Sequence, residues 1–344
     1  MKRWVPWHCL ILATAGLMQI AVNAQAPNPA QTPTSAFKAT NIDPSIFRAQ
    51  VRLDRAGFGP GVIDGRKGRF FTAAVKGYQA AQSLTQSGEL DGATWAALGK
   101  DDAPALMTMV LKDDALSADF TPDIPAKIVD QAALPNLGYR DIVERLAERF
   151  HTTPQLLLAL NPALKAPQAG MELRLPSLIP ADRAYDNSLS PQWRGTLATL
   201  NISARQPQAA KIIVDKSESL LKVYDGQDRL VAQFPATTGS DHDPLPIGQW
   251  AIEAIAFLPT YHYNPDLFWD AADSDGKAVL RPGPNNPVGV VWIDLDKPHY
   301  GIHGTPEPSR IGRSQSHGCV RLSNWDAARL AQMTSTSTQV IFQE

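Results

Sequence analysis

Cysteine is almost missing from this 344-residue chain: Cys9 and Cys319 are the two, so at most one disulfide can form. Neither sign of charge is in excess. Lys and Arg number 32 against 34 acidic residues, and a net charge of −2 lacks the basic surplus of a dedicated nucleic-acid binder. No Gly-X-Y or heptad period points to a fibre, and with 44% apolar and 19% charged residues the chain is too apolar for intrinsic disorder. It contains no Ser-x-x-Lys motif, phosphate loop or dinucleotide fingerprint. The apolar run from Cys9 to Val22 is too short for a comfortable membrane span. What remains is a chain long enough for two or three packed domains at roughly 100–200 residues each.

Lys2 and Arg3 precede that apolar run, and Val22-Asn23-Ala24 places small residues at −3 and −1 of a cut before Gln25. Residues 1–24 therefore read as a cleaved secretory signal, and the protein is expected to be exported to the periplasm or cell envelope. An uncleaved anchor is the alternative. Trp7-His8 before Cys9 does not resemble a lipoprotein cleavage box. Cleavage leaves 30 basic and 34 acidic residues, a net charge of −4, and Cys319 alone. An unpaired thiol in an oxidising compartment calls for burial or a chemical role.

Residues 25–43 are rich in Ala, Pro, Thr and Gln and are expected to be an extended linker. Within 44–100, Phe71, Ala74, Val75 and Tyr78 fall at i, i+3, i+4 and i+7, a one-faced helical stripe. Gly57-Phe58-Gly59-Pro60-Gly61-Val62-Ile63-Asp64-Gly65, Tyr78-Gln79 and Gly88-x-Leu90-Asp91-x-x-Thr94-Trp95-x-x-Leu98 together resemble the small three-helix peptidoglycan-binding domain. The pattern departs from that family at Lys67-Gly68-Arg69-Phe70. Tyr78 and Trp95 read as core aromatics.

In 101–180 a strand is expected over 105–111, followed by two helices. Thr153-Pro154 is an N-cap with proline at the first helical position, and Glu172 to Leu175 is a strand stopped by Pro176. Asn161-Pro162 and Gly170-Met171-Glu172-Leu173-Arg174-Leu175-Pro176 resemble a LysM module, the glycan-binding βααβ unit, although its opening Gly-Asp-Thr is absent. Residues 181–208 read as a linker.

From Ala209 onward the chain turns to strands, at 211–215, 220–224, 230–234, 249–255, 288–295 and 339–342, with hairpin connections at 216–219 and 225–228. One late helix, 325–333, is capped by Ser323 with Asp326 three residues on. The long stretch Pro259 to Pro287 carries Trp269 and Pro282-Gly283-Pro284-Asn285-Asn286-Pro287, and its aromatic content fits a cleft wall or lid.

The chemistry concentrates in Tyr300 to Leu322. A thiol becomes a nucleophile when a neighbour lowers its pKa or removes its proton, and histidine is the usual partner. His303 ends a strand-like segment, and a proline-bearing loop returns the chain to Ser316-His317-Gly318-Cys319. Two adjacent strands would set His303 beside Cys319. Gly304 and Gly318 permit close backbone approach, with Gly318 able to turn peptide N–H groups toward an oxyanion. His317, next to Cys319, would face the other side of a strand and read as structural. Ser316 could supply a hydroxyl behind the site. His299, His303, His317 and Cys319 could alternatively hold zinc. Yet glycines at 301 and 304 favour extended chain, in which His299 and His303 stand about 13 Å apart at ~3.3 Å per residue. His242 and His262 stand in loops without a partner pattern and are expected to face solvent.

His303-Gly304-Thr305 followed by Ser316-His317-Gly318-Cys319-Val320-Arg321-Leu322 resembles the signature of the L,D-transpeptidase catalytic domain, the YkuD family. Pro246-x-Gly248 before a strand, the hairpins and the Pro-Gly-Pro-Asn-Asn-Pro loop match as well, so the resemblance covers 209–344. It implies a mainly β catalytic domain, a YkuD-like β-sandwich, preceded by the three-helix and βααβ modules. It further implies Cys319 as nucleophile, His303 as general base and the Gly304 carbonyl as the group fixing the histidine tautomer. The Gly318 and Cys319 amides would be oxyanion donors, Arg321 would hold a substrate carboxylate, and Asn285 and Trp269 are expected at the substrate. The family reaction attacks the L,D amide of a tetrapeptide stem, releases D-Ala, and passes the thioester to an amine without cofactor or metal. Stem peptides and glycan are the implied partners, with a wall-anchored lipoprotein as a further acceptor. The chain is expected to be a monomer that does not engage nucleic acid. Two rivals stay open: hydrolysis of the same bond by water, and a wall-binding scaffold without catalysis.

Overall fold

Asp43 and Pro44 start the first helix because the carboxylate accepts the orphan amides of Ser45 (2.8 Å) and Ile46 (3.2 Å) while proline supplies a preset φ. A computed structural model describes this residue and its neighbours, covering 42–271 and 276–344; the expected signal segment, Cys9 and all but the end of the expected linker lie outside the described residues. Helix α1 (Pro44–Arg55) packs with α2 (Arg69–Ala81) and α3 (Gly92–Leu98) around Leu53, Phe71, Val75 and Leu98. Buried Gln79 ties the unit together, donating to the Glu89 carbonyl (3.0 Å) and Thr94 Oγ1 (2.8 Å) and accepting from the Gly88 amide (2.9 Å). Tyr78 meets Phe58 edge-on in this core, as expected, whereas Trp95 is half-buried beneath the Arg48 guanidinium.

The next module has the two expected strands at its ends, with one short helix more than the two expected between them. Strand β1 (Leu106–Val110) pairs antiparallel with β2 (Glu172–Pro176), and α4 (Asp113–Leu116), α5 (Ile142–Arg149) and α6 (Pro154–Leu160) lie between them. Asn161 pins α6 to β2 through a reciprocal pair with Arg174, its Oδ1 accepting at 2.7 Å and its Nδ2 donating at 2.8 Å.

The segment 181–208 is not the spacer expected from its sequence. It forms α7 (Pro191–Thr199), capped by Ser190, and its Trp193 and Leu197, together with Leu200 and Ile202, are buried in the core of the β domain. That domain holds β3 (Lys211–Asp215), β4 (Leu220–Tyr224), β5 (Leu230–Pro235), β6 (Gly248–Phe257), β7 (Tyr261–Tyr263), β8 (Ala278–Leu280), β9 (Val291–Leu295), β10 (Gly301–His303), β11 (Val320–Arg321), α8 (Asn324–Met333) and β12 (Gln339–Gln343). Eight strands form one continuous sheet in the order β11-β10-β9-β6-β12-β3-β4-β5, with β7 and β8 a separate hairpin. The two layers of the expected sandwich are halves of this sheet. Strand β6 pairs with β12 through its first residues and with β9 through its last, and a register shift between Ile252 and Ala254 marks the change of partner. Such a bulge bends a strand. The sheet thereby closes on one apolar core in which Ile212, Val223 and Phe234 of one half meet Ile293, Ile302 and Val320 of the other.

The modules are docked, not strung. Gly59 donates to Gln233 O (2.7 Å) and Gln233 donates to Gly57 O (3.0 Å), so the three-helix module covers the exposed edge of β5. Between all three modules, buried Asp54 of α1 faces His151 Nδ1 (3.0 Å) and Arg329 of α8 (2.5 Å), while His151 Nε2 meets the Leu200 carbonyl (2.8 Å) and its ring stacks on Trp325. Burial alone would raise the Asp54 carboxyl, but Arg329 and His151 outweigh it and hold the group well below the usual carboxylate range.

Candidate active site

Strands β10 and β11 run parallel with Ile302 opposite Val320 and His303 opposite Arg321. Ile302, Val320 and Leu322 go into the core, so alternation turns His303 and Arg321 the other way, with Cys319 immediately before β11. His303, Cys319 and Arg321 all line one cavity of about 530 Å³. Gly301 fits between because the Trp292 ring occupies the space of a side chain there: a Cβ would stand 2.6 Å from Trp292 Cζ2.

His303 is buried and stacks on Trp292 with ring centroids 5.4 Å apart. Its Nδ1 donates to the Gly304 carbonyl (2.7 Å), which leaves Nε2 as the acceptor. Burial, with Arg321 nearby, pushes its pKa down to about 3, so the ring is neutral at physiological pH. Cys319 is half-buried, and its thiol donates to the His299 carbonyl (3.6 Å) rather than to His303. Burial raises this thiol to about 11, against the opposing pull of the Gly301 backbone and Arg321. The resting pair is therefore neutral thiol and neutral imidazole. Arg321 reaches the cavity with one nitrogen on the Gln315 carbonyl (3.1 Å).

Gly318 has φ +96°, a left-handed backbone closed to most side chains, and packs against Tyr300. This turn changes the expected place of His317. Because Gly318 breaks the extended run, His317 does not face away from Cys319 but lines the same cavity, its Nε2 on Asp270 (2.8 Å) and its ring against Phe268. Ser316 is buried and donates to the Cys319 carbonyl (2.6 Å), bracing the turn. Tyr261, His262 and Phe268 form one wall. Trp269, 59% exposed, does not itself line the cavity; its ring lies 6.3 Å from that of His317, which does, and His242 packs against it. His242 and His262 are both exposed, as expected, and His262 also lines the cavity. Asn285 is not at the substrate cavity. It is buried and committed to the middle module, accepting from Arg140 (2.8 Å) and donating to the Gly138 carbonyl (2.7 Å). Trp292 and Tyr300 were outside the expected site. The signal for Trp292 is in the sequence: Val291, Ile293 and Leu295 alternate inward, which leaves a tryptophan on the outer face next to the histidine strand.

A thiol, an imidazole with one tautomer fixed, and an arginine thus share one cleft. Residues 209–342 match the family described as "L,D-transpeptidase catalytic domain" and residues 43–98 the family described as "Putative peptidoglycan binding domain". The chain thus carries an L,D-transpeptidase catalytic domain behind a domain of the peptidoglycan-binding class. The "Putative L,D-transpeptidase YkuD" of Bacillus licheniformis is 28% identical over 204 residues, which cover 58% of this chain and 92% of that protein. The "Probable L,D-transpeptidase YbiS" of Escherichia coli K12 is 31% identical over 135 residues, 38% of this chain and 44% of that protein. This chain therefore spans less than half of the latter relative's length. An L,D-transpeptidase crystal structure from Xylanimonas cellulosilytica aligns over 88% of this chain and 94% of its own with a TM-score of 0.35 and 14% identity.

Proposed function

We propose that this protein is a cell-envelope L,D-transpeptidase acting on the tetrapeptide stems of peptidoglycan. One observation carries the reading: His303, its Nδ1–H held by Gly304 and its Nε2 free to accept a proton, lines the same cavity as the Cys319 thiol. The thiol proton passes to Nε2 as sulfur attacks the carbonyl of the L,D amide. Negative charge develops on the carbonyl oxygen, for which the Gly318 and Cys319 amides are the donors. The imidazolium returns its proton to the departing D-Ala nitrogen, the C–N bond breaks, and a thioester remains. An acceptor amine then attacks the thioester, His303 takes the amine proton, and the thiol is restored. Arg321 suits a stem carboxylate, Ser316 braces the oxyanion turn, and His317 with Trp269 shapes the cleft mouth. Export to the periplasm, monomeric action, and a lipoprotein lysine as a second acceptor belong to the same reading.

The test incubates the full chain and its Cys319→Ala variant with muropeptide tetrapeptides and identifies products by mass. Joined dimers with loss of D-Ala from the wild type, absent from the variant, are expected. Tripeptide monomers alone would mean water is the acceptor, and no product from the wild type would make the chain a wall-binding scaffold.

A further inference from the structure

A buried polar chain reaches the catalytic histidine from a different module. Asn324, at the start of α8, is fully buried, and its Oδ1 accepts the Val290 amide (3.2 Å). That oxygen is wedged between two glycines: a Cβ on Gly304 would stand 2.2 Å from it and one on Gly289 2.0 Å. Asn324 Nδ2 donates to Glu148 Oε1 (2.8 Å) and to the Pro284 carbonyl (3.0 Å). Glu148 lies on α5 of the middle module and is 7% exposed. The sequence is thus Glu148, Asn324, Gly304, His303.

A primary amide can flip, and its flip is set by its partners. A carboxylate or carboxamide oxygen at 148 accepts only the Nδ2 edge and so keeps Oδ1 toward Val290 N–H and the glycines. Without that acceptor, the shortest of the three bonds, only the Pro284 carbonyl and the Val290 amide hold the orientation; an amide that turned would present N–H against N–H at Val290, and the two side-chain-free residues beside it would give way first. The amide of Gly304 has only a 3.3 Å bond to Val291 O to hold it. A shift of Gly304 also moves its carbonyl, in the following peptide plane, and loosens the 2.7 Å bond that keeps the proton on His303 Nδ1. A histidine with the proton on Nε2 cannot accept one from the thiol.

We propose that Glu148 is a positioning residue for the general base, acting through Asn324 and Gly304, so that the middle module completes the frame of the active site. The inference rests on the reading of His303 as base. Burial raises the Glu148 carboxyl to about 7, so a neutral glutamine at that position changes little in charge near neutrality while keeping an acceptor oxygen.

The experiment measures the initial rate of Cys319 alkylation by iodoacetamide at pH 6, followed by mass, in the full chain and in His303→Ala, Glu148→Met and Glu148→Gln. It is paired with kcat and KM on the tetrapeptide. Glu148→Met and His303→Ala are both expected to lose at least about tenfold in alkylation rate, within the range of general-base contributions. Glu148→Gln is expected to stay within about twofold of the wild type. In the Met variant kcat falls with KM nearly unchanged. A wild-type alkylation rate in Glu148→Met beside a slow His303→Ala overturns the inference and leaves the base intact. A wild-type rate in His303→Ala overturns the base itself, and the inference with it. Asn324→Ala, which removes the amide that links Glu148 to Gly304, must show the same loss and carries the comparison if the Met variant misfolds; a wild-type rate there also overturns the proposal.

Discussion

A methyl group on Gly318 would stand 2.4 Å from Tyr300 Cε1, on a backbone at φ +96° that alanine adopts at a cost of roughly 1–3 kcal/mol. Gly318→Ala is therefore expected to lower kcat/KM by at least about a hundredfold, the scale of a lost oxyanion donor, and to lower the midpoint of thermal unfolding; a variant with normal turnover would mean that this turn is not part of the site. The protonation states at rest give a second expectation. Above about 3 His303 is neutral and below about 11 Cys319 is a thiol, so the population of the reactive neutral pair is constant between those limits. Wild-type alkylation should be nearly flat from pH 5 to 8, whereas His303→Ala should rise about tenfold per pH unit as only free thiolate reacts. Equal slopes in both proteins would show that His303 takes no proton. Cys319 and His303, the proposed nucleophile and base, stand out in the sequence because glycines flank them and no other cysteine competes after residue 24. His317 and Asn285 are not, for physical reasons. Side-chain alternation fails where a left-handed glycine interrupts a strand, and a loop asparagine is fixed by a partner nearly 150 positions away, which spacing does not encode.

At the level of elements, the strands announce themselves through alternation and turn residues, and the sequence reading places six of them within a few positions of the observed bounds. Helix α7 is the instructive miss. Ser190-Pro191 is a start signal, and Trp193, Leu197 and Leu200 recur at i, i+4 and i+7, but polar neighbours on both sides make the stretch resemble a spacer. Its worth lies in burial against the β domain, where Trp193 also stacks on Phe257 with centroids 4.6 Å apart. Trp193→Ala is expected to destabilise the protein by about 3–5 kcal/mol in urea unfolding, as for other buried tryptophans; a change below about 0.5 kcal/mol, the size of a surface substitution, would restore the spacer reading. Strands β10 and β11 are short and owe their register to neighbours such as Thr237, whose backbone pairs with Arg321. Nothing local in three and two residues could have fixed that pairing.

Across the whole molecule, buried ionisable groups collect where the modules meet. Burial lifts Glu148 to about 7 and Asp326 to about 6, above their ordinary carboxylate values. A carboxyl that is a weaker acid in the folded state favours the fold when protonated. Its contribution is complete below the unfolded pKa near 4.5 and is lost as pH rises through 7. Glu148→Gln removes this loss, so it should match the wild type in stability near pH 4 and exceed it at pH 8, by on the order of 3 kcal/mol. Parallel stability curves for the two proteins would mean that Glu148 keeps an ordinary pKa. The interlock of Asp54, His151 and Arg329 has a consequence for how the enzyme meets its polymer. A domain on a flexible tether raises local concentration and lets its partner sample every direction. A domain clamped by a buried ion pair would act as a ruler: were the three-helix module to grip a strand, the thiol would face it at one distance and one angle. Stems would then be chosen by their position along the strand as much as by their chemistry.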